Sequence, residues 1–306
     1  MFGIKAVAAS DTPYCFDHLV SEFKWLLKTI PDTRIGSNTT YCISDAALSA
    51  FSVFFMQSPS FLAHQMKMQE LTGDNNARSL FQVVNIPSDN QIRNILDPIS
   101  PDNITQMFDF VFNGLNSIGY FEHYRSINKN ILIALDGVNY FSSQKIPCEQ
   151  CNTRYHKSTG KITYLHNAIT PVIVAPDNPH VISLTPEFIM PQDGNDKQDC
   201  ENTAAKRWLI KHGQKYKELG ATILGDDLYS HHPICELIQQ QGLNFIFTCK
   251  PDSHAKLYRE LESLADYCQL IPLVIKRTEG KKSLKPLLTH IDLLIMCQLG
   301  VRLMLY

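Results

Sequence analysis

Two short apolar runs, each leading into an aspartate, constrain the fold of this chain more than any other feature. Residues 130–135 (NILIAL) end at Asp136, and residues 221–224 (ATIL) continue through Gly225 into Asp226. Short apolar runs bounded by polar or turn residues are typical of buried strands. The sequence therefore predicts two core strands, each with a carboxylate at its C-terminal end.

The segments around these runs alternate between strand and helix patterns. Further strands are predicted at 161–170, 171–175 and 244–249, and helices at 196–219, 233–241 and 253–265. Glycines at 220 and 242 stand where two of these helices should stop. Strands that first form a meander and then alternate with helices predict one mixed α/β layer from about residue 121 to 280.

The first 120 residues carry helical patterns instead. Apolar residues recur at helical spacing from Ala47 to Phe55, with Ser44 or Asp45 as a plausible N-cap. Ser88 and Gln91 form a capping-box pattern. A stripe of apolar residues between positions 102 and 119 is typical of an amphipathic helix packed on a core. We therefore expect an all-helical region before the α/β layer.

Composition indicates an ordinary globular protein. Hydrophobic residues make up 44% of the chain and charged residues 19%, with a net charge of −2, so any binding of nucleic acid must rely on local basic patches. The nine cysteines are scattered and no signal-peptide pattern opens the chain, which favours a reduced, cytoplasmic protein. The longest apolar stretch, 291–306, contains Asp292 and Arg302 and is shorter than a membrane span.

Asp136 and Asp226 are the first candidates for chemistry. Side chains at the C-terminal ends of neighbouring central strands converge on one crevice of an open α/β sheet. Carboxylates gathered there repel one another, and a divalent cation allows them to stay ionised. Two such ions promote in-line attack at phosphorus. The alternative is that each aspartate only caps a turn.

A second candidate is the pair Cys148 and Cys151, which form a CxxC motif with His156 and His166 downstream. Two thiolates and two imidazoles would complete a tetrahedral zinc site. The spacing fits no standard zinc finger, and the alternative is a pair of reduced thiols on a β-turn.

Basic residues cluster in two places where they would neutralise phosphates. One cluster follows the predicted helix 196–219 and the other lies between 276 and 285: Lys206, Arg207, Lys211, Lys215 and Lys217, and then Lys276, Arg277, Lys281, Lys282 and Lys285. The alternative for both clusters is a solvated surface.

Three long blocks resemble a group of bacterial insertion-sequence transposases of the cut-and-paste class. The blocks read LDGVNYFSSQKIPCEQC, PEFIMPQDGNDKQDCENTAAKRWL and ILGDDLYSHHPICELIQQQGLNFIFTCKPDSH. The likeness extends upstream to MQSPSFLAHQ and NIPSDNQIRNILD, and covers roughly residues 35 to 280. Such transposases have an RNase H-like core with an Asp-Asp-Glu triad.

The resemblance implies a role for particular residues. Asp136 matches the first catalytic carboxylate and Asp226 the second, with Asp227 a less favoured neighbour. It also implies Mg²⁺ or Mn²⁺, double-stranded DNA as the partner, transfer of 3′-hydroxyls into target DNA, and a homodimer on DNA in the bacterial cytoplasm. Residues 1–120 would recognise the DNA ends or support dimerisation, and 121–280 would be the catalytic core.

The chain departs from the family pattern after about residue 280. The third carboxylate of the family lies in a later segment that is not found here, and residues 281–306 look like a frameshifted tail. We therefore expect a C-terminally truncated transposase whose catalysis is impaired by the loss of this carboxylate. Glu262 or Glu260 is a tentative substitute; an ordinary solvent-facing glutamate is the alternative. Two other hypotheses stay open: an inactive DNA-binding remnant that inhibits a full-length transposase, and a zinc-stabilised structural protein.

Overall fold

The computed structural model describes residues 15–70, 76–191 and 199–267, together with two short strands at 294–296 and 302–304. The chain divides into two compact units, Met1–Ile118 and Gly119–Tyr306. In the described residues, the helices of the model are all too short or too polar to cross a membrane.

The first unit is helical in its described part. Two short 3₁₀ turns, Gly36–Thr39 and Pro101–Asn103, accompany its α-helices. The helices are α1 (Phe16–Thr29), α2 (Ile43–Phe55), α3 (Phe61–Glu70), α4 (Asn76–Ser79), α5 (Asp89–Leu96) and α6 (Gln106–Ser117). Their core is aromatic and aliphatic: Phe81 is fully buried and contacts Phe16, Phe51 and Phe55. Burying this apolar surface is what holds the short helices together.

The starts of these helices test the predicted caps. At α5 the capping box is confirmed, because Ser88 Oγ accepts the N–H of Gln91 and the Gln91 side chain accepts the N–H of Ser88. At α2 the predicted cap is wrong. The N-cap is Cys42, whose Sγ accepts the N–H of Asp45 at 3.3 Å, so Ser44 and Asp45 already lie in the first turn.

In its described part, the second unit contains the strands, three α-helices and the 3₁₀ segments Tyr120–Tyr124 and Ile127–Lys129. Its strands are β1 (Ile131–Ala134), β2 (Gly137–Ser143), β3 (Asn152–His156), β4 (Lys161–Ile169), β5 (Val172–Val174), β6 (Ile182–Ser183), β7 (Glu187–Ile189), β8 (Ala221–Gly225) and β9 (Asn244–Phe247). Its helices are α7 (Glu201–Lys217), α8 (His232–Gln240) and α9 (Ala255–Tyr267). The strands β10 (Leu294–Met296) and β11 (Arg302–Met304) pair antiparallel with each other.

A five-stranded mixed sheet forms the centre of this unit, in the order β6-β5-β1-β8-β9. β1 pairs parallel with β8, and β8 pairs parallel with β9, whereas β5 and β6 are antiparallel additions on the other side. Ile131, Ile133 and Ile223 are fully buried, as expected for strands covered on both faces. The prediction of a mixed α/β protein is confirmed.

A second sheet is built from β2, β4 and β3, with β7 paired to β4. β1 continues into β2, and β4 continues into β5, with Ala134 opposite Val172 in the first sheet and Gly137 opposite Ile169 in the second. The two chain segments 131–143 and 164–174 are therefore the arms of one long antiparallel hairpin that passes from sheet to sheet. We call this feature the long hairpin; it bends at Asp136.

Several predicted boundaries shift. α7 begins at Glu201 rather than at 196, and residues 192–198 lie outside the described part of the chain. α6 begins at Gln106, after the Pro101–Asn103 turn. Of the predicted tail 281–306, only β10 and β11 are described, and the basic cluster at 276–285 lies outside the described residues.

Candidate functional site

The strand register brings Asp136 and Asp226 side by side. Ala134 pairs with Leu224 in the parallel β1–β8 ladder, and the N–H of Leu135 donates to the carbonyl of Leu224 at 2.9 Å. Two residues further along each strand, Asp136 therefore faces Asp226. Neighbouring strands lie about 4.8 Å apart, so the two carboxylates share one edge of the sheet. Both side chains are exposed at that edge.

Each of these aspartates also has a local structural contact. Asp136 Oδ1 accepts the N–H of Gly137 at 2.9 Å, and Asp226 Oδ1 accepts the N–H of Leu228 at 2.9 Å. The carbonyl of Asp136 accepts the N–H of Thr170 at 3.0 Å, which ties the residue into the long hairpin. These bonds orient the carboxylates while leaving their outer faces towards solvent.

Asp227 has a different role from its neighbour. Its carboxylate accepts the N–H of Lys250 at 2.6 Å and the hydroxyl of Ser253 at 2.5 Å, and it lies 3.4 Å from His254 Nε2. Burial raises the pKa of this carboxyl, but these hydrogen bonds and the charge of His254 outweigh burial and leave the pKa below its usual value. Asp227 therefore fastens the start of α9 to the end of β8.

A third carboxylate, which sequence reasoning missed, reaches the same edge. Glu201 is the first residue of α7, and its side chain fills the space above Gly137 so closely that a Cβ atom at position 137 would collide with the carboxylate. The glycine after Asp136 is thus required by the close approach of Glu201. This glycine was the available signal in the sequence, but nothing in the sequence says which residue approaches it.

Tyr229 is hydrogen-bonded to Glu201 and also feels the charges of Asp136 and Asp226. It is fully buried, and its hydroxyl donates to Glu201 Oε1 at 2.5 Å. Burial, the bond to Glu201 and the negative charges of Glu201, Asp136 and Asp226 all raise the pKa of Tyr229. The charges of all three carboxylates therefore act on one phenol. Among the described residues, however, their ligand atoms do not all lie within 4.8 Å of one another.

The tentative substitutes for a third carboxylate lie elsewhere on the chain. Glu260 and Glu262 are both on α9. Glu260 is exposed, and its Oε1 lies 3.8 Å from Lys256 Nζ, one helical turn earlier. This is the contact of an ordinary surface glutamate. The side chain of Glu262 lies outside the described part of the structure.

The cysteine pair and one of the two candidate histidines form a compact group. Cys148 Sγ and Cys151 Sγ are 3.3 Å apart, and His166 Nε2 lies 3.2 Å from each sulfur. Among the residues that the structure describes, this is the one set of three Cys, His, Asp or Glu side chains whose ligand atoms lie within 4.8 Å of one another. We call it the Cys₂His group.

Register explains why His166 belongs to this group and His156 does not. Asn152 of β3 pairs with Leu165 of β4, which sets the preceding Cys151 opposite His166. His156 is at the far end of β3, opposite Lys161, and its Nε2 is 2.9 Å from Thr163 Oγ1. The expectation that His156 is a metal ligand is therefore wrong.

The protonation of the group follows from its burial. Cys151 is buried, and burial together with the hydrogen bond between the Cys151 and Cys148 thiols raises the pKa of the Cys151 thiol. Burial lowers the pKa of His166, so the imidazole is neutral at pH 7, the form that binds metals. An open pocket with a volume of about 360 Å³ lies beside the group and is lined by Tyr140, Phe141 and Ile146.

Two of the basic residues predicted to bind DNA have internal partners. Arg207 donates to Glu187 at 2.8 Å, to Asp199 at 2.7 Å and to the carbonyl of Phe188 at 3.0 Å, and the bonds to Asp199 and Glu187 raise its pKa. Lys211 donates to Glu187 at 2.9 Å. These pairs hold α7 against β7. DNA binding by Lys206, Arg207 and Lys211 stays a prediction.

Comparison with known proteins identifies no relative: the chain matches no protein-family model, no curated protein and no solved structure.

Proposed function

We propose that this chain is a DNA transposase with an RNase H-like core, which uses Mg²⁺ or Mn²⁺ to cleave and join DNA strands in the bacterial cytoplasm. One observation carries the proposal: Asp136 and Asp226 end neighbouring parallel strands in register and share one exposed edge. The three sequence blocks that resemble insertion-sequence transposases support DNA strand transfer over other metal-dependent reactions. Double-stranded DNA and a second copy of the chain are the partners that this resemblance implies.

We expect the carboxylates at this edge to bind a magnesium or manganese ion. Carboxylate oxygens are the ligands that these ions prefer. The space above Gly137, which any other side chain would fill, admits the Glu201 carboxylate. When bound, two such ions activate a water or a 3′-hydroxyl and stabilise the leaving oxygen at phosphorus.

The protein's own residues hold the geometry. Asp136 and Asp226 each accept a backbone N–H, and they follow the central strands β1 and β8, whose ladder sets the positions of the two strand ends. Sites built on strands are held more precisely than sites on loops.

We further assign the third carboxylate to Glu201 rather than to Glu260 or Glu262. The buried Tyr229 hydroxyl holds one Glu201 oxygen, and the charges of Asp136 and Asp226 act on the same phenol. Glu201 thus supplies locally what the family pattern places in a later segment. A site formed by Asp136, Asp226 and Glu201 would favour an active enzyme over an inhibitory remnant, and binding of an ion there would draw the three carboxylates closer together.

A metal titration tests the site before any DNA substrate is known. Mn²⁺ binding to the full chain, followed by electron paramagnetic resonance, should weaken strongly in Asp136→Asn and Asp226→Asn. Glu260→Gln is the matched control, since it removes an exposed carboxylate on α9. Equal Mn²⁺ affinity in the wild type and both aspartate variants would refute the metal site.

A DNA assay tests the reaction itself. The full chain with Mg²⁺ should nick and join duplexes that carry the inverted repeats flanking its own gene. DNA binding without cleavage would support the inhibitory remnant instead. The absence of any preference for the repeats would contradict both the active transposase and the inhibitory remnant.

A further inference from the structure

We propose that Cys148, Cys151 and His166 bind a zinc ion whose fourth coordination position is open and holds an exchangeable water. This inference goes beyond the transposase proposal and does not depend on it, because no residue is shared between the Cys₂His group and the carboxylate edge.

The distances suit zinc after a small expansion. With Zn–S of about 2.3 Å and Zn–N of about 2.05 Å, tetrahedral angles set the two sulfurs about 3.8 Å apart and each sulfur about 3.5 Å from the nitrogen. The corresponding separations here are 3.3, 3.2 and 3.2 Å. Each ligand atom needs to move by only a few tenths of an ångström to accept the ion. Two thiolates and an imidazole are a donor set that favours Zn²⁺ over Mg²⁺.

The backbone holds these ligands in place. Cys151 donates its N–H to the carbonyl of Cys148 at 3.1 Å, which closes the turn between them, and the N–H of Cys148 points at Cys151 Sγ at 3.3 Å. His166 is on β4, where it pairs with Phe141 of β2, and its neighbour Leu165 pairs with Asn152 of β3. Ligands that are already positioned by a rigid sheet lose little freedom when the metal binds.

The environment of the imidazole assigns its ligand atom. Nε2 faces both sulfurs, whereas Nδ1 lies 3.4 Å from the hydroxyl of Tyr140. A polar partner on the second ring nitrogen fixes the tautomer in which the first nitrogen binds the metal. Tyr140 is therefore the outer partner of the site.

The fourth coordination position would face the concavity beside the group. Within the described ranges no fourth Cys, His, Asp or Glu joins the group, and the surface beside it is lined by Tyr140, Phe141 and Ile146. Three protein ligands with an open position are typical of zinc sites that exchange water. The ion would join the 144–151 connection to β4 and so fasten the tip of the long hairpin.

A redox pair is the competing interpretation of the CxxC motif. A disulfide needs its sulfurs about 2.05 Å apart and has no use for a third ligand atom. The structure instead sets the imidazole nitrogen at equal distances, 3.2 Å, from the two sulfurs. A metal ion requires a third ligand atom placed in this way, within reach of the same centre as the two sulfurs.

Zinc content and cobalt spectroscopy test the proposal on the full chain. Protein purified under reducing conditions without chelators should contain about one zinc per chain. Co²⁺ should replace it and give thiolate-to-cobalt charge-transfer bands and the visible bands of a tetrahedral ion. Cys148→Ser is the main variant because Cys148 is exposed, so the substitution opens no buried cavity.

The expected effect exceeds that of outer-shell changes, which cost about 10–100-fold, so Cys148→Ser and His166→Asn should weaken zinc binding by at least about 100-fold. Cys42→Ser and His156→Asn are the matched controls and should keep wild-type affinity. Unchanged zinc binding in Cys148→Ser would overturn the proposal, as would reduced wild-type protein that takes up no zinc. A cobalt spectrum that does not change on addition of azide would overturn the open fourth position.

Discussion

The two candidate centres of the second unit are built in opposite ways. The carboxylate edge gathers oxygen ligands from residues far apart in sequence, Asp136, Glu201 and Asp226, through the parallel β1–β8 ladder and the start of α7. The Cys₂His group comes from one local stretch, folded back by a turn and by the antiparallel β3–β4 ladder. The first depends on the whole unit being folded, whereas the second requires only the hairpin tip. Their donor atoms also differ, so we expect the two centres to favour different ions.

The largest expected effect is on DNA cleavage, which should depend on the carboxylate edge and not on the Cys₂His group. Asp136→Asn should lower DNA strand cleavage by at least about 1000-fold, because a metal clamp contributes several kcal/mol of transition-state stabilisation. Its zinc content should equal that of the wild type. The measurement is single-turnover cleavage of inverted-repeat DNA together with metal analysis. Loss of zinc in this variant would show that the centres are not independent.

The next prediction compares how much zinc stabilises the wild type and the variant Cys148→Ser against unfolding. At a concentration 100 times its dissociation constant, zinc should stabilise the folded chain by about 2.7 kcal/mol. For a unit of this size that raises the Tm by about 5–10 °C. Calorimetry of Cys148→Ser should show no such shift, while its Mn²⁺ affinity stays unchanged. An equal zinc-induced shift in Cys148→Ser would contradict the assignment.

The space above Gly137 offers a sharper test of Glu201. Gly137→Ala should destabilise the chain by about 1–3 kcal/mol, because the new methyl group collides with the Glu201 carboxylate. It should also weaken Mn²⁺ binding by displacing that carboxylate. Urea unfolding and Mn²⁺ titration measure the two effects.

A second change identifies the cause. The double variant Gly137→Ala, Glu201→Ala should regain most of the lost stability but none of the Mn²⁺ affinity. Gly213→Ala is the control, since its Cβ would meet only the flexible Gln241 side chain, at 3.2 Å. Recovery of Mn²⁺ binding in the double variant would exclude Glu201 as a ligand.

The smallest expected effect is a pH dependence. The pKa of Tyr229 is raised above its ordinary value of 10.0, so the folded chain keeps a proton that the unfolded chain releases. Stability from this group is complete below about pH 10 and falls as pH rises further, by up to about 1.4 kcal/mol per pH unit. In Tyr229→Phe that part of the slope should vanish. Identical slopes above pH 10 would rule out this account of Tyr229.

Strand ends and helix stops were predictable from the sequence because they rest on local rules. β1 and β8 coincide with apolar runs, and the α5 capping box is formed by the side chains of Ser88 and Gln91. Gly220, which lies just after α7, has a left-handed φ of 64°. The carboxylate pair could be named for the same reason. Each aspartate directly follows a recognisable buried strand.

The remaining features depend on contacts between distant segments. β2 escaped prediction because its side chains are mostly exposed and form no apolar run. Glu201 looked like any residue in the first turn of a helix until the fold set it above Gly137. His156 and His166 are equivalent in the sequence, and only the β3–β4 register distinguishes them.

The long hairpin makes both centres sensitive to a single alignment. Its arms set Ala134 opposite Val172 near the bend and Phe141 opposite His166 near the tip. Successive side chains of a strand point to opposite faces, so a slip of one residue between the arms would turn a whole arm over. A slip of the arm 131–143 would move Asp136 from its place beside Asp226, and a slip of the arm 164–174 would turn His166 away from Cys151. A zinc ion bound at the tip would hold His166 to the 144–151 connection, so it would oppose the second slip while the chain folds.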